Sequence, residues 1–298
     1  MCSCRAVRVA RYLSATVATV VMAIATAGSA AAQTSAGPNS GALTFTGAFD
    51  VPTTYFFRGI RQEVDPKITF WPAGDIGLAL MSGDGGLKRA AINFGVWNSL
   101  HTGSSGTGTG CFACKLQYEE RFYATLNLGF GRGVGMGTTF TAYTSPNATF
   151  TTVKEVSFKI SKAHRLAPYG IVALEIGGDG SGQADNGAKK GTYIELGVGP
   201  SWPLAGGKAR IAIPVKIGLS AKDYYELDGK DNKFGFLDAG ALITIPLKGV
   251  SGRFGTWNIH GGADFLALGD MTKVANTNRD GDAKKSQLIG LFGIGVGY

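Results

Sequence analysis

Past residue 40 this chain alternates apolar and polar side chains in one short segment after another. In Phe122-Tyr123-Ala124-Thr125-Leu126-Asn127-Leu128-Gly129-Phe130 every second residue is apolar and those between are polar or small. The stretches 210–219 and 257–265 follow the same rule. Successive side chains of a strand point to opposite faces, so each segment has one apolar and one polar face. A strand buried on both faces reads instead as a continuous apolar run. About twelve such segments are present, centred near Phe45, Leu78, Phe94, Leu126, Phe140, Phe158, Val172, Leu196, Ile213, Ile243, Ile259 and Ile294.

The connections add a second constraint. After odd segments they are long: Pro52 to Pro66, Leu100 to Lys115, Gly177 to Lys190, Ser220 to Asn232 and Gly269 to Lys285, with Thr144 to Thr149 the short exception. After even segments they are tight: Ser82 to Gly86, Gly131 to Gly133, Ser161 to Leu166, Trp202 to Gly207 and Lys248 to Arg253. Long loops on one side and short turns on the other characterise an outer-membrane barrel. Strands of about ten residues match the ~9–11 needed for an oblique crossing, and closure pairs the edges that lipid leaves unpaired. The expectation is an all-β, antiparallel up-and-down transmembrane β-barrel of about twelve strands, one domain over residues 41–298. Tyr143, Trp202, Tyr224, Tyr225, Phe254 and Trp257 fall near strand ends, where interfacial girdles are expected.

The N-terminus reads as a cleaved signal peptide over residues 1–32. Arg5, Arg8 and Arg11 form its basic head, a short apolar stretch follows, and Ala30-Ala31-Ala32 ends it before Gln33. Residues 33–40 form a flexible lead. Removing the signal lowers the formal charge from +8 to about +5. The remaining basic residues are scattered rather than striped, which argues against nucleic acid as a partner. Cys111 and Cys114 remain as a single CxxC, expected as a loop disulfide in an oxidising compartment. The chain is expected in the bacterial outer membrane, in contact with lipid and lipopolysaccharide. Its last strand has Leu288, Gly290, Phe292, Ile294, Val296 and Tyr298 on one face. That strand resembles the terminal signal read by the barrel-assembly machinery.

The stretch Tyr55-Phe56-Phe57-Arg58-Gly59-Ile60-Arg61-Gln62 resembles the Tyr-x-Phe-Arg-Gly-Ile-x-Gln signature of the TorF-like porin family of bacterial envelope proteins. Gly95-Val96-Trp97-Asn98-Ser99 resembles that family's Gly-x-Trp-x-Ser segment. Phe56 and Arg61 replace a common arginine and serine, and Glu119-Glu120-Arg121 alters the usual acidic strand motif. The likeness covers about residues 54–100 and implies an outer-membrane barrel. It names no solute.

With the apolar parity outward, the inward acids are Asp50, Asp75, Glu119, Glu155, Glu175, Glu195, Asp238 and Asp264, and the inward bases Arg89, Arg121, Lys159, Arg210 and Lys216. A lipid-facing Arg or Lys at mid-depth costs about 2–4 kcal/mol, so these belong inside. Expected pore-lining residues are Arg58, Arg89, Glu119, Arg121, Glu155, Lys159, Glu175, Glu195, Lys216, Asp238, His260 and Asp264. The leading expectation is passive diffusion of small hydrophilic solutes or ions, with a cation preference from the excess of acids. The alternatives are a closed structural or adhesive barrel acting through its long loops, or a lipid-modifying enzyme.

An enzyme is the weakest of these. His101 is expected in a loop, His164 in a turn, and His260 on an inward face with Asn258 and Asp264. A serine hydrolase needs a base within reach of its nucleophile and a third group to orient it. No lipid-facing serine–histidine pair two residues apart is present. Asn278 to Asp282 and Asp228 to Asn232 resemble fragments of calcium loops but lack the full ligand set. Gly129-Phe130-Gly131-Arg132-Gly133 reads as a turn. No catalytic residue, metal or cofactor is expected.

Overall fold

The computed structural model describes residues 42–103, 115–177, 189–278 and 280–298. The expected signal peptide and lead, and the expected Cys111–Cys114 disulfide, lie outside the described residues.

The chain forms a closed antiparallel barrel of twelve crossings. β1 (Leu43–Pro52) is followed by a small hairpin, β2 (Phe56–Phe57) and β3 (Ile60–Arg61). Then come β4 (Thr69–Ser82), β5 (Leu87–His101), β6 (Gln117–Phe130), β7 (Val134–Thr144), β8 (Val153–Lys162) and β9 (Tyr169–Glu175). β10 (Thr192–Val198) and β11 (Ser201–Leu204) share one crossing, and β12 (Ala209–Ala212) and β13 (Val215–Lys222) share the next. Pro200 and Pro214 interrupt these two crossings, because proline has no N–H for the ladder. A second hairpin, β14 (Glu226–Leu227) and β15 (Lys230–Asp231), precedes β16 (Phe234–Pro246) and β17 (Thr256–Leu268). A short helix, α1 (Asp270–Ala275), leads to β18 (Ser286–Gly297).

Neighbouring crossings pair in chain order. β1 also pairs with β18, from Thr46↔Gly297 to Pro52↔Leu291, so the sheet closes without an edge. Each expected segment centre falls within a crossing, and Ile213 lands at the proline interruption. Long and short connections segregate to opposite ends, with the β7–β8 connection (145–152) the short exception, as the loop lengths predict.

The outward parity is apolar and uncovered. Phe94, Phe122 and Phe265 are 50–55% exposed, and Ile76, Leu196, Leu288 and Phe292 are exposed beside them. Leaving a large apolar side chain in water forfeits roughly 1.5–3 kcal/mol, so a continuous belt of them fits only a lipid surround. The barrel is transmembrane.

Its tightly packed core lies in the lumen rather than between layers. Here one expectation is corrected. Trp202 and Phe254 are exposed as girdle residues would be, but Tyr143, Tyr224 and Tyr225 are 0–4% exposed. Tyr143 shares the inward parity of Thr139 and Thr141, and the two loop tyrosines pack into the barrel mouth. Nearness to a strand end does not say which face a ring takes. The stretch Tyr55 to Gln62, whose Arg58 is expected to line the lumen, does turn inward. It is the β2–β3 hairpin, folded into the lumen.

Candidate functional site

The hairpin tip is a two-residue turn, Arg58-Gly59, with φ of 49° and 80°. Positive φ at both central positions is what a tight hairpin with strand-like twist requires. Gly59 serves the turn twice, since a Cβ there would also lie 2.9 Å from the Phe236 ring. The flanking Tyr55, Phe56 and Phe57 are at most 5% exposed. An apolar hairpin has to bury its rings somewhere, and the barrel interior is the nearest dry space.

Charge pairing fixes the tip. Arg58 Nη1 and Nη2 donate to Glu155 Oε2 and Oε1 at 2.6 and 2.9 Å, a bidentate pair with both side chains 2–3% exposed. Arg58 Nη1 also donates to Tyr224 Oη at 3.0 Å, and Tyr143 Oη donates to Glu155 Oε1 at 3.3 Å. The guanidinium carbon lies 4.1 Å from the Tyr193 ring centre, 4.8 Å from Phe57 and 5.4 Å from Tyr224. Burial works against the Arg58 charge, but the Glu155 carboxylate together with Tyr224 and Tyr143 outweighs it and holds the guanidinium well above its ordinary pKa. Burial also pushes the Tyr224 and Tyr225 phenols well up, so both stay protonated.

A second ionic centre sits beside the first. Arg121 donates to Glu119 and to Tyr55 Oη, and Tyr55 Oη donates to Glu119 Oε2 at 2.9 Å. The Arg121 guanidinium is framed by Trp97 at 4.2 Å, Phe57 at 4.5 Å and Tyr143 at 5.0 Å. Phe57 therefore touches both arginines. The hairpin backbone is held as well. Tyr225 Oη donates to Arg58 O at 2.8 Å, Asn276 Nδ2 to Gly59 O at 2.7 Å, and Tyr118 Oη to Gln62 O at 2.6 Å. Arg61 N donates to Asn276 Oδ1 at 2.6 Å. Two long loops and the wall thus clasp one short hairpin.

Eleven of the twelve expected pore-lining residues stand on the barrel wall with inward parity, and Arg58 reaches them from the hairpin. Arg58, Glu119, Arg121, Glu155, Glu175, Glu195, Asp238 and His260 are buried, whereas Arg89, Lys159, Lys216 and Asp264 are partly open. Glu195 accepts from Tyr193 at 2.7 Å and Tyr169 at 2.8 Å, while Lys216 pairs with Asp238 at 3.2 Å. Lys159 Nζ lies 4.4 Å from the Tyr169 ring centre, and Glu175 accepts from Gly191 N at 2.6 Å. His260 Nε2 meets Asp50 Oδ1 at 2.8 Å, and its Nδ1 meets Asn258 Oδ1 at 3.0 Å. Under the hairpin a cavity of about 20 Å³, bordered by Arg58, Trp71, Lys216 and Asp264, has room for about one water. Toward the short turns the inward positions carry smaller side chains, among them Thr44, Gly77, Asn93, Thr139 and Ser161.

One constellation escaped sequence reasoning. Ser99 and His101 are two residues apart on β5 and face inward, not toward lipid. Ser99 Oγ lies 2.7 Å from His101 Nε2, and His101 Nδ1 contacts Glu63 of the hairpin loop. Trp71 Nε1 donates to Ser99 Oγ at 2.9 Å, and Tyr118 stacks on His101 at 4.5 Å. The order is that of nucleophile, base and orienting acid. Ser99 and His101 are 0% exposed, so no substrate carbonyl reaches Ser99 in this conformation. What the relay does here is tie Glu63 to the wall. The missing signal was the loop glutamate, which no spacing rule connects to position 101.

The two calcium-like fragments take other roles. Asp228-Gly229, with φ of 52° and 72°, turns the β14–β15 hairpin. Asn278 Oδ1 accepts from Arg61 Nη1 at 2.8 Å. Gly131–Gly133 is a single 3-10 turn, as expected.

No family model and no curated protein matches the chain. Among solved structures it is similar to a NanC porin at 8% identity, covering 86% of this chain and 99% of that one with a TM-score of 0.39. It is similar to outer membrane phospholipase A from Escherichia coli at 10% identity, over 85% and 92% of the two chains, TM-score 0.45. It is also similar to the beta domain of the Bordetella autotransporter BrkA at 13% identity, over 87% and 99%, TM-score 0.36.

Proposed function

We propose that this protein is a narrow outer-membrane channel for small hydrophilic solutes or ions, closed at rest by the β2–β3 hairpin. The observation that carries this reading is the contrast within the lumen. The wall turns eight acids and five bases inward, beside apolar residues such as Leu242, Leu266, Ile289 and Leu291, yet the outer half is filled by a hairpin that belongs to a loop. A filler contributed by the wall itself would be permanent. A hairpin joined to the barrel by loop segments has a second place to go. The resemblance of residues 55–62 to the TorF-like porins agrees with this, and so does a barrel of twelve strands, intermediate between filled eight-stranded and open sixteen-stranded ones.

Reconstitution in a planar bilayer with potassium chloride tests it. Wild type should show rare, small current steps. Glu155→Gln, which breaks the bidentate pair, and replacement of residues 56–61 by a short glycine linker should both raise the open fraction. A reversal potential under a salt gradient should report cation preference, as the acid excess requires. If the folded hairpin-less barrel stays silent, the reading fails. A second reading then takes over, a sealed structural barrel acting through its long loops. The mutual pairing of most lumen charges favours it.

A further inference from the structure

We infer that the place Arg58 occupies is a recognition site for a guanidinium-bearing cationic solute, with Arg58 as its built-in competitor. The inference rests on the channel reading above for its consequence, and on the lumen geometry for its chemistry. Most of the site stays behind when the hairpin is removed in thought. Glu155 on β8, Tyr143 on β7 and Tyr193 on β10 belong to the wall, and Tyr224 belongs to the loop between β13 and β16. Together they offer a buried carboxylate with both oxygens engaged, at 2.6 and 2.9 Å, and two phenol rings at 4.1 and 5.4 Å from the cation.

That donor set selects strongly. A carboxylate presenting both oxygens in one plane matches the parallel N–H pair of a guanidinium, and a flat ring beside it stacks on the delocalised cation. A compact ammonium satisfies the charge but neither the fork nor the stacking. An anion is repelled, because the wall keeps three more acids than bases once Arg58 is withdrawn. The cage is the place held by the hairpin tip, so a solute that takes it displaces the tip itself. Occupation and opening are then the same event.

Tethering sets the concentration scale. A ligand held on a short linker acts at an effective concentration in the millimolar range, so a free competitor works on wild type only well above its own dissociation constant. Truncating Arg58 removes the competitor. The backbone bonds from Tyr225 and Asn276 go to Arg58 O and Gly59 O, so they survive the truncation and keep the hairpin in register.

The test uses n-propylguanidinium chloride as probe, with n-butylammonium and propionate as comparators, on full-length protein refolded in detergent. Calorimetry on Arg58→Ala should show one propylguanidinium site, and adding Glu155→Gln should weaken it about tenfold or more. In wild type, hydrogen exchange of residues 55–62 should accelerate on adding propylguanidinium. Its half-effect concentration should lie about tenfold or more above the Arg58→Ala dissociation constant. Equal binding of butylammonium overturns the proposal. So does binding to Arg58→Ala with wild-type exchange unchanged at saturation, which would mean a filled hole and no exchangeable site. If Arg58→Ala does not fold, the wild-type exchange experiment decides alone. Current recorded in parallel separates the two readings: binding and exchange without conductance retire the channel and leave the cation site.

Discussion

Asn276 is where the closed state is most exposed to test. It follows α1, is fully buried, and makes two bonds across to the hairpin turn, accepting from Arg61 N at 2.6 Å and donating to Gly59 O at 2.7 Å. Asn276→Ala orphans one buried N–H and one buried carbonyl. Each costs about 1–3 kcal/mol when left unsatisfied, and since Arg61 is only half-buried a combined loss of about 2–4 kcal/mol is expected. At 1.4 kcal/mol per factor of ten, the hairpin should open about 30 to 1,000 times more often. The amide of Gln62, which bonds to Tyr55 O at 3.0 Å and never touches Asn276, is the right reporter. Its exchange measures opening of the hairpin rather than loss of its own partner. Asn276→Asp keeps the acceptor and loses the donor, so it should fall between. Gln62 protection within about threefold of wild type in Asn276→Ala would show that the clasp does not hold the hairpin, and the gating logic would lose its lock.

Two further outcomes follow from the wall and from the second small hairpin. Phe94→Arg places a charge at mid-depth on the outward face and should cost about 2–4 kcal/mol in a denaturant titration in lipid, while an arginine at exposed Met81, outward beside a short turn, should cost at most about 1 kcal/mol. At Asp231 burial pushes the carboxyl up, but hydrogen bonds from Lys233 and Ser220 and the lysine charge outweigh it and hold the pKa below its ordinary value. Its contribution is therefore present above the ordinary carboxylate range and lost as pH falls through the depressed value. Exchange across residues 223–233 should speed up only on strong acidification, and Asp231→Asn should remove that acid step.

The barrel was legible because two independent periodicities agree: side chains alternate along each strand, and loop lengths alternate between strands. Lipid enforces the first, and the up-and-down path produces the second. The inward charges could be read because any other placement is costly. The hairpin could not be read in the same way, although its Arg58 is among the residues expected to line the lumen. Tyr55 to Gln62 lies in a long loop, where no parity assigns a face, and only the apolar load around Arg58-Gly59 hinted that the loop must bury itself. Tyr143 was recoverable, since it shares parity with Thr139 and Thr141, but its position near a strand end fitted a girdle equally well. Glu63 joining Ser99 and His101, and Asn276 joining Gly59 and Arg61, are contacts between segments far apart in the chain. One sequence carries no trace of them.

The distances along the chain between these partners have a consequence for assembly. Each main clasp on the hairpin comes from a segment made later: Glu119, Glu155, Tyr225 and Asn276 all follow it. β1 likewise completes its pairing only with β18. The hairpin is among the first parts translated and among the last able to settle, since non-local contacts form only after the intervening chain is in place. Its full set of clasps thus spans almost the whole chain, and removing the segment that carries Asn276 would leave the hairpin with its earlier partners alone.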